Sequence, residues 1–120
     1  MNSPSLRPAP GRVVVLASDR LGEGDERLGA ALMHSFLGVL VEKGPVPEAI
    51  LCYNGGARLS AQGSESLAEL RALQEAGAWI GTCGTCVDYF ELHPGPAVGD
   101  VTTMAVIAER MMAAQSVIRP

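Results

Sequence analysis

The sequence predicts a three-layer α/β domain, with a mostly parallel sheet of about five strands and helices on both faces. Three observations carry that expectation. The run Val13-Val14-Val15-Leu16-Ala17 is continuously apolar and largely β-branched, as a strand buried on both faces requires. Strand-like runs then alternate with segments of helical periodicity through short connections, the pattern of right-handed βαβ crossovers. Three polar, glycine-bearing segments, Ser18 to Gly24, Asn54 to Ala57 and Thr82 to Asp88, each follow a strand-like run. In sheets of this kind ligands and catalytic groups lie beyond the carboxyl ends of the strands, so these segments are expected to converge on one site.

Residues 1–10 hold three prolines and few core formers, and read as a disordered leader or a linker remnant that leaves residues 11–120 as a single domain. The first strand starts at Arg12. Asp25 and Glu26 place negative charge in the first turn of the helix that follows, where the dipole favours it. In that helix Leu28, Leu32, Phe36, Val39 and Leu40 recur at three- or four-residue spacing, which predicts one buried stripe ending by Gly44-Pro45. Ala49 to Tyr53 is a second strand, ended by Asn54-Gly55-Gly56. Ser64 is the expected N-cap of a helix carrying Leu67, Leu70 and Leu73, which Gly77 closes. Ala78-Trp79-Ile80-Gly81 reads as a third strand running straight into Thr82-Cys83-Gly84-Thr85-Cys86. After a Pro/Gly-rich stretch, Thr102 is the expected N-cap of a helix presenting Met104, Ile107, Ala108 and Met111 to the core, and Val117-Ile118 reads as a last strand.

At 120 residues and 48% hydrophobic content the chain suits one core without disulfides or a structural metal. Nine basic against thirteen acidic residues, with no basic cluster, give no footprint for a phosphate backbone and argue against nucleic acid as a partner. The N-terminus lacks the apolar core of a signal peptide, and no run approaches the ~20 apolar residues that span a bilayer. A cytoplasmic protein with no membrane association is expected. An odd count of three cysteines then argues for reduced or reactive thiols over a disulfide framework.

Cys83 and Cys86 carry the chemistry. A Cys-x-x-Cys where a strand enters a helical turn gives Cys86 access to backbone amides and a positive dipole end, which lower a thiol pKa from its free value of ~8.5. The spacing also lets one thiol reach the other, for a disulfide or for attack on a persulfide held by its neighbour. Inert packing and half of a zinc site are the competing readings. Zinc would need partners, and only Cys52, His34 and His93 remain, none in a second paired motif, so no metal is expected. Cys52, inside an apolar strand, reads as a core residue, and the two histidines as structural or solvated. Asn54-Gly55-Gly56 is explained by backbone freedom alone, although amides at a strand's end also suit an anion or a sulfur oxyanion. Gly84 and Thr85 lie between the thiols, and Asp19 is expected at the edge of the same site. Gly22-Glu23-Gly24 lacks the spacing of a dinucleotide site, and no cofactor is expected.

The ordered set Ser18-Asp19-Arg20-Leu21-Gly22-Glu23-Gly24-Asp25, Tyr53-Asn54-Gly55-Gly56, Cys83-Gly84-Thr85-Cys86-Val87-Asp88-Tyr89-Phe90 and Val98-Gly99-Asp100-Val101-Thr102 resembles one family, over nearly the whole chain from residue 12 to 118. It is similar to the DsrE-like domain of the YedF-type, sulfurtransferase-like selenium metabolism proteins. The resemblance implies a DsrE/DsrF-like α/β fold, homo-oligomerisation, and movement of sulfur or selenium as a cysteine-bound persulfide or its selenium analogue. It matches the sulfur-carrying cysteine to Cys86 or Cys83. Members often carry a preceding TusA-like domain that this sequence does not include, which implies either a sulfur donor, such as a TusA-like partner, acting in trans with a sulfur acceptor, or a domain excised from a longer chain.

Three functions follow as expectations. The first is a sulfur relay in which Cys86, the preferred nucleophile, or Cys83 carries the sulfur and the other cysteine resolves it. The second is a dithiol/disulfide oxidoreductase, against which stands the absence of the aromatic and proline residues of thioredoxin-like sites. The third is a non-catalytic module that binds an anion or a partner chain.

Overall fold

In the computed structural model, residues 8–120 are described, with side chains from Gly11 onward. The expected leader therefore lies outside the described residues up to position 7, and the first strand already begins at Pro8. The elements run β1 (Pro8–Leu16), α1 (Glu26–Lys43), β2 (Val46–Cys52), a 3-10 helix (Asn54–Ser60), α2 (Leu67–Glu75), β3 (Trp79–Cys83), α3 (Gly84–Tyr89), β4 (Asp100–Thr102), α4 (Met104–Ala113) and β5 (Ser116–Ile118). The five strands form one sheet in the order β4-β3-β2-β1-β5, and every neighbouring pair is parallel.

Crossover handedness explains the layers. From β1 to β3 the chain steps one way across the sheet, so right-handed connections put α1 and α2 on one face. The return from β4 at one edge to β5 at the other runs the opposite way, so α4 falls on the second face. Side chains alternate between these faces along each strand. Val14, Leu16, Ile50 and Ile80 pack with Met33, Leu37, Leu70 and Leu73, whereas Val13, Val15, Ala49 and Leu51 pack with Ile107 and Met111. Each fully buried side chain of this size contributes about 1.5–3 kcal/mol of transfer free energy. Among the described residues no helix is long and apolar enough to cross a membrane.

Several local expectations shift. In α1 the buried residues are Gly29, Met33 and Leu37, while Leu28, Leu32 and Val39 of the expected stripe are exposed and only Phe36 and Leu40 lean on the core. The helix has apolar residues on two faces. Gly29 decides between them, because it lets α1 close on the Arg20-Leu21 loop, where a Cβ would meet the Arg20 side chain. Asp25 caps α1 by accepting from the Leu28 amide at 2.8 Å. Helix α2 starts at Leu67, with Ser66 at its N-cap, and Ser64 instead accepts from the Ser66 amide at 3.1 Å. Thr103 rather than Thr102 caps α4, and Met104 and Ala108 are exposed there. Strand β4 and the 3-10 helix have no counterpart in the sequence reading, because each is too short or too polar to show a periodicity.

Candidate functional site

Parallel register brings β1, β2 and β3 to one edge, with Leu16 beside Cys52 and Cys52 beside Thr82. The three polar segments leave the sheet at that edge. Cys83 ends β3 and is the N-cap residue of α3, and Cys86 lies one turn into that helix.

The Cys86 sulfur is partly exposed and accepts the backbone N–H of Asn54 at 3.1 Å. Asn54 has φ 51°, a left-handed conformation that asparagine tolerates better than most residues, and it opens the 3-10 helix. The next turn is pinned to β1. The Tyr53 amide donates to the Leu16 carbonyl at 3.1 Å, and a Cβ on Gly56 would collide with the same carbonyl. Glycine is required there by close backbone approach. The Gly56 amide is committed to the Tyr53 carbonyl at 3.0 Å and the Asn54 amide to sulfur, so the turn serves the thiol directly.

A pocket of about 440 Å³ opens on Cys86, lined also by Asn54, Thr85, Tyr89 and Phe90. Tyr89 and Phe90 meet edge to face at 5.3 Å, and the Arg58 guanidinium lies 4.1 Å over the Phe90 ring. Tyr53 and Cys86 both pack against the core on the α4 face. One of the two tyrosines and one of the two phenylalanines of this aromatic-poor chain thus line the pocket of one sulfur. The residues Tyr89 and Phe90 are the site's unforeseen members; their signal is an adjacent aromatic pair one helical turn past Cys86.

Cys83 is buried, at 3% exposure. Burial pushes its thiol up, but the Cys86 amide and thiol and the Thr85 amide and hydroxyl act together against it and leave the pKa below the ordinary value. These groups act without a conventional side-chain cap bond. Burial raises the Cys86 thiol; the Asn54 amide opposes the rise and the neighbouring Cys83 sulfur reinforces it. The two are linked, with the Cys86 S–H donating toward Cys83. The two thiols therefore titrate as a linked pair, with Cys83 shifted down and Cys86 shifted up.

The other expected residues take separate positions. Gly84 lets β4 approach, since a Cβ there would come within 3.1 Å of Val101 Cγ1, and Thr85 is exposed at the pocket rim. Asp19 lines a different cavity, of about 340 Å³, with His34, Arg58 and Ser66. It approaches the thiol site's turn at Gly55, where a Cβ would stand 3.7 Å from Asp19 Oδ1, and Arg20 Nε donates to that oxygen at 3.3 Å. His34 pairs with Glu69 at 3.4 Å and lines the Asp19 cavity, not the Cys86 pocket. Cys52 is a core residue at 0% exposure, where burial pushes its thiol up to about 12 against a smaller opposing effect of Thr82. Among the described residues no group of three or more His, Cys, Asp or Glu side chains is arranged to hold a metal ion.

No protein-family model and no curated protein matches the chain. Solved structures do match its fold. The ychN protein from E. coli superposes with TM-score 0.66 at 13% identity, over 91% of this chain and 98% of that one. MTH1491 from Methanobacterium thermoautotrophicum, a protein of unknown function, gives 0.64 at 20% identity over 91% and 98%. BT1422 from Bacteroides thetaiotaomicron, a conserved protein of unknown function, gives 0.60 at 12% identity over 99% and 100%. At these identities the likeness is one of fold, and it extends over the full α/β architecture.

Proposed function

We propose that the protein carries sulfane sulfur, or its selenium analogue, on Cys86, with Cys83 as its proton acceptor and resolving thiol. The observation that carries the reading is the asymmetry of the pair. One sulfur is accessible, held by an amide and set in a pocket, and its partner is buried and biased toward the thiolate.

The step balances within these groups. In the singly ionised pair, Cys86 attacks the outer sulfur of a donor persulfide, R–S–SH, while its proton passes to the Cys83 sulfur. The S–S bond of the donor breaks, R–S⁻ leaves, and Cys86–S–SH forms beside a protonated Cys83. An acceptor thiolate then attacks the outer sulfur and restores Cys86. In a side reaction Cys83 attacks Cys86 Sγ, expels hydrosulfide and closes a disulfide, which an external thiol must reduce.

The motif resemblance to DsrE-like domains and the fold likeness to ychN support this reading, and with it a homo-oligomeric cytoplasmic protein served by donor and acceptor proteins, a TusA-like donor among them. A dithiol/disulfide oxidoreductase ranks second, because burial of Cys83 leaves Cys86 as the sulfur an external disulfide would meet. A non-catalytic binding module would leave the bias of the pair without a use.

Incubation with a persulfide donor, followed by intact mass spectrometry under non-reducing conditions, tests the proposal. An addition of ~32 Da that a reductant removes is expected. No addition, or one that survives replacement of both Cys83 and Cys86 by serine, contradicts it.

A further inference from the structure

Behind the thiol site runs a chain of buried polar side chains that the reaction does not use. Ser60 closes the 3-10 helix, Thr82 stands on β3 one residue before Cys83, and both are fully buried. Their hydroxyls meet at 2.7 Å, and Ser60 Oγ lies 3.1 Å from the Ala57 carbonyl. The single Ser60 hydroxyl proton points at that carbonyl, so Thr82 donates to Ser60. Cys52, with its thiol held protonated at ordinary pH by burial, adjoins Thr82 from β2. The order is Thr82 O–H to Ser60 O–H to the Ala57 carbonyl, and both hydroxyl protons are spent. Such a chain costs more than apolar packing unless it is fully satisfied, and when satisfied it fixes one arrangement of the elements it joins.

We propose that Thr82 and Ser60 are positioning residues that hold the 3-10 helix in the orientation at which the Asn54 amide meets the Cys86 sulfur. The inference rests on the reading of Cys86 as the working thiol. Its geometry is that of a short lever. The 3-10 helix has intrinsically poor internal hydrogen bonding, and its Tyr53 N-cap residue makes no side-chain cap bond. Its middle rests on β1 at Gly56, where the backbone has no room to move closer to Leu16. Asn54 lies on one side of that fulcrum and Ser60 on the other. Ser60 is tied at its carbonyl by the Ala97 amide at 2.7 Å and at its hydroxyl by Thr82, which is its link to the strand bearing Cys83. Loosening the Ser60 end tilts the helix about Gly56 and withdraws the Asn54 amide from the sulfur.

The test is the pH dependence of Cys86 alkylation by iodoacetamide, in a Cys83→Ser background where Cys86 is the accessible thiol. The titratable and charged groups around the site, Tyr89, Arg58 over Phe90, the exposed Asp88 and Tyr53 on the shared core, are the same in every variant. Thr82→Val keeps the side-chain shape and removes the hydroxyl. It is expected to raise the alkylation midpoint by about half a pH unit, because an amide that favoured the thiolate has moved away. Thr82→Ser restores the hydroxyl and is expected to return the midpoint to that of the parent. The Asn54 amide proton resonance should move upfield in Thr82→Val and stay in place in Thr82→Ser. A folded Thr82→Val with an unchanged midpoint overturns the proposal, as does a Thr82→Ser midpoint displaced as far as that of Thr82→Val. Should Thr82→Val not fold, Ser60→Ala leaves β3 packing intact and carries the same expectation and the same overturning result. Alkylation needs no sulfur donor. An unmoved midpoint with persulfide uptake intact removes only this inference, and a moved midpoint without uptake removes only the carrier reading.

Discussion

The backbone amide of Asn54 donates to the sulfur of Cys86 at 3.1 Å, across 32 residues of sequence. That contact joins the end of β2 to the start of α3 and gives the Asn54-Gly55-Gly56 turn a use that needs no bound anion. The contact is made by the backbone at position 54, so a residue that holds the left-handed conformation can supply it.

Asn54→Gly is therefore expected to leave Cys86 alkylation and thermal stability close to those of the parent, since glycine adopts the φ of 51° without strain. Asn54→Val should cost about 1–2 kcal/mol, the penalty for a β-branched residue in the left-handed region, and should slow Cys86 alkylation as the amide shifts. Denaturant unfolding and alkylation rates at fixed pH check both. Equal behaviour of the two variants would show that the left-handed geometry is unimportant.

The buried Cys52 thiol makes a pH prediction. Its folded-state pKa is raised to about 12, whereas in the unfolded chain it titrates near ~8.5. Below the unfolded value both states hold the proton and its stabilisation is complete. Between the two values the unfolded chain releases a proton that the folded state retains, so stability falls as pH rises, by up to ~1.4 kcal/mol per pH unit. Cys52→Ala should be less stable than the parent near pH 8 by about 1 kcal/mol, yet lose about 2.5 kcal/mol less on going to pH ~10.5. Parallel urea titrations at the two pH values measure the difference, and identical alkaline losses would contradict burial of the thiol.

Tyr89 is 79% exposed yet forms a wall of the Cys86 pocket. Tyr89→Ala should change stability by less than about 1 kcal/mol, the edge-to-face contact with Phe90 being its main loss. It should shorten the lifetime of a Cys86 persulfide toward small thiols several-fold by opening the pocket. A time course of persulfide decay by mass spectrometry decides the point, and an unchanged lifetime would leave Tyr89 without a role at the site.

Much of this was legible in the sequence, and the rest was not for identifiable reasons. The β-branched run at Val13-Val14-Val15 announced a strand buried on both faces, and the place of Cys83 and Cys86 at a strand's end followed from the apolar run before them. The buried face of α1 was not legible, because Leu28/Leu32/Val39 and Met33/Leu37/Leu40 are both apolar at helical spacing and the choice is made by close approach at Gly29. The ranking of the thiols was incomplete for a similar reason. Sequence spacing brings Cys86 nearer the helical turn, but the strand geometry makes Cys83 the N-cap residue and the one biased toward the thiolate, while burial leaves Cys86 as the accessible one. The expected meeting of Asp19 with the thiols fails as a shared pocket, because Gly55 and the Arg58–Phe90 stack stand between the two cavities.

The asymmetry of the cysteine pair is tested most directly by sulfur uptake in the two single variants, followed by intact mass spectrometry against time after addition of a persulfide donor. Cys83→Ser is expected to gain ~32 Da, more slowly than the parent because its proton acceptor is lost, and to hold the added sulfur longer because nothing resolves it. Cys86→Ser is expected to gain nothing. Uptake by Cys86→Ser at the parent's rate, with Cys83→Ser inert, would contradict the assignment of Cys86 as the carrier.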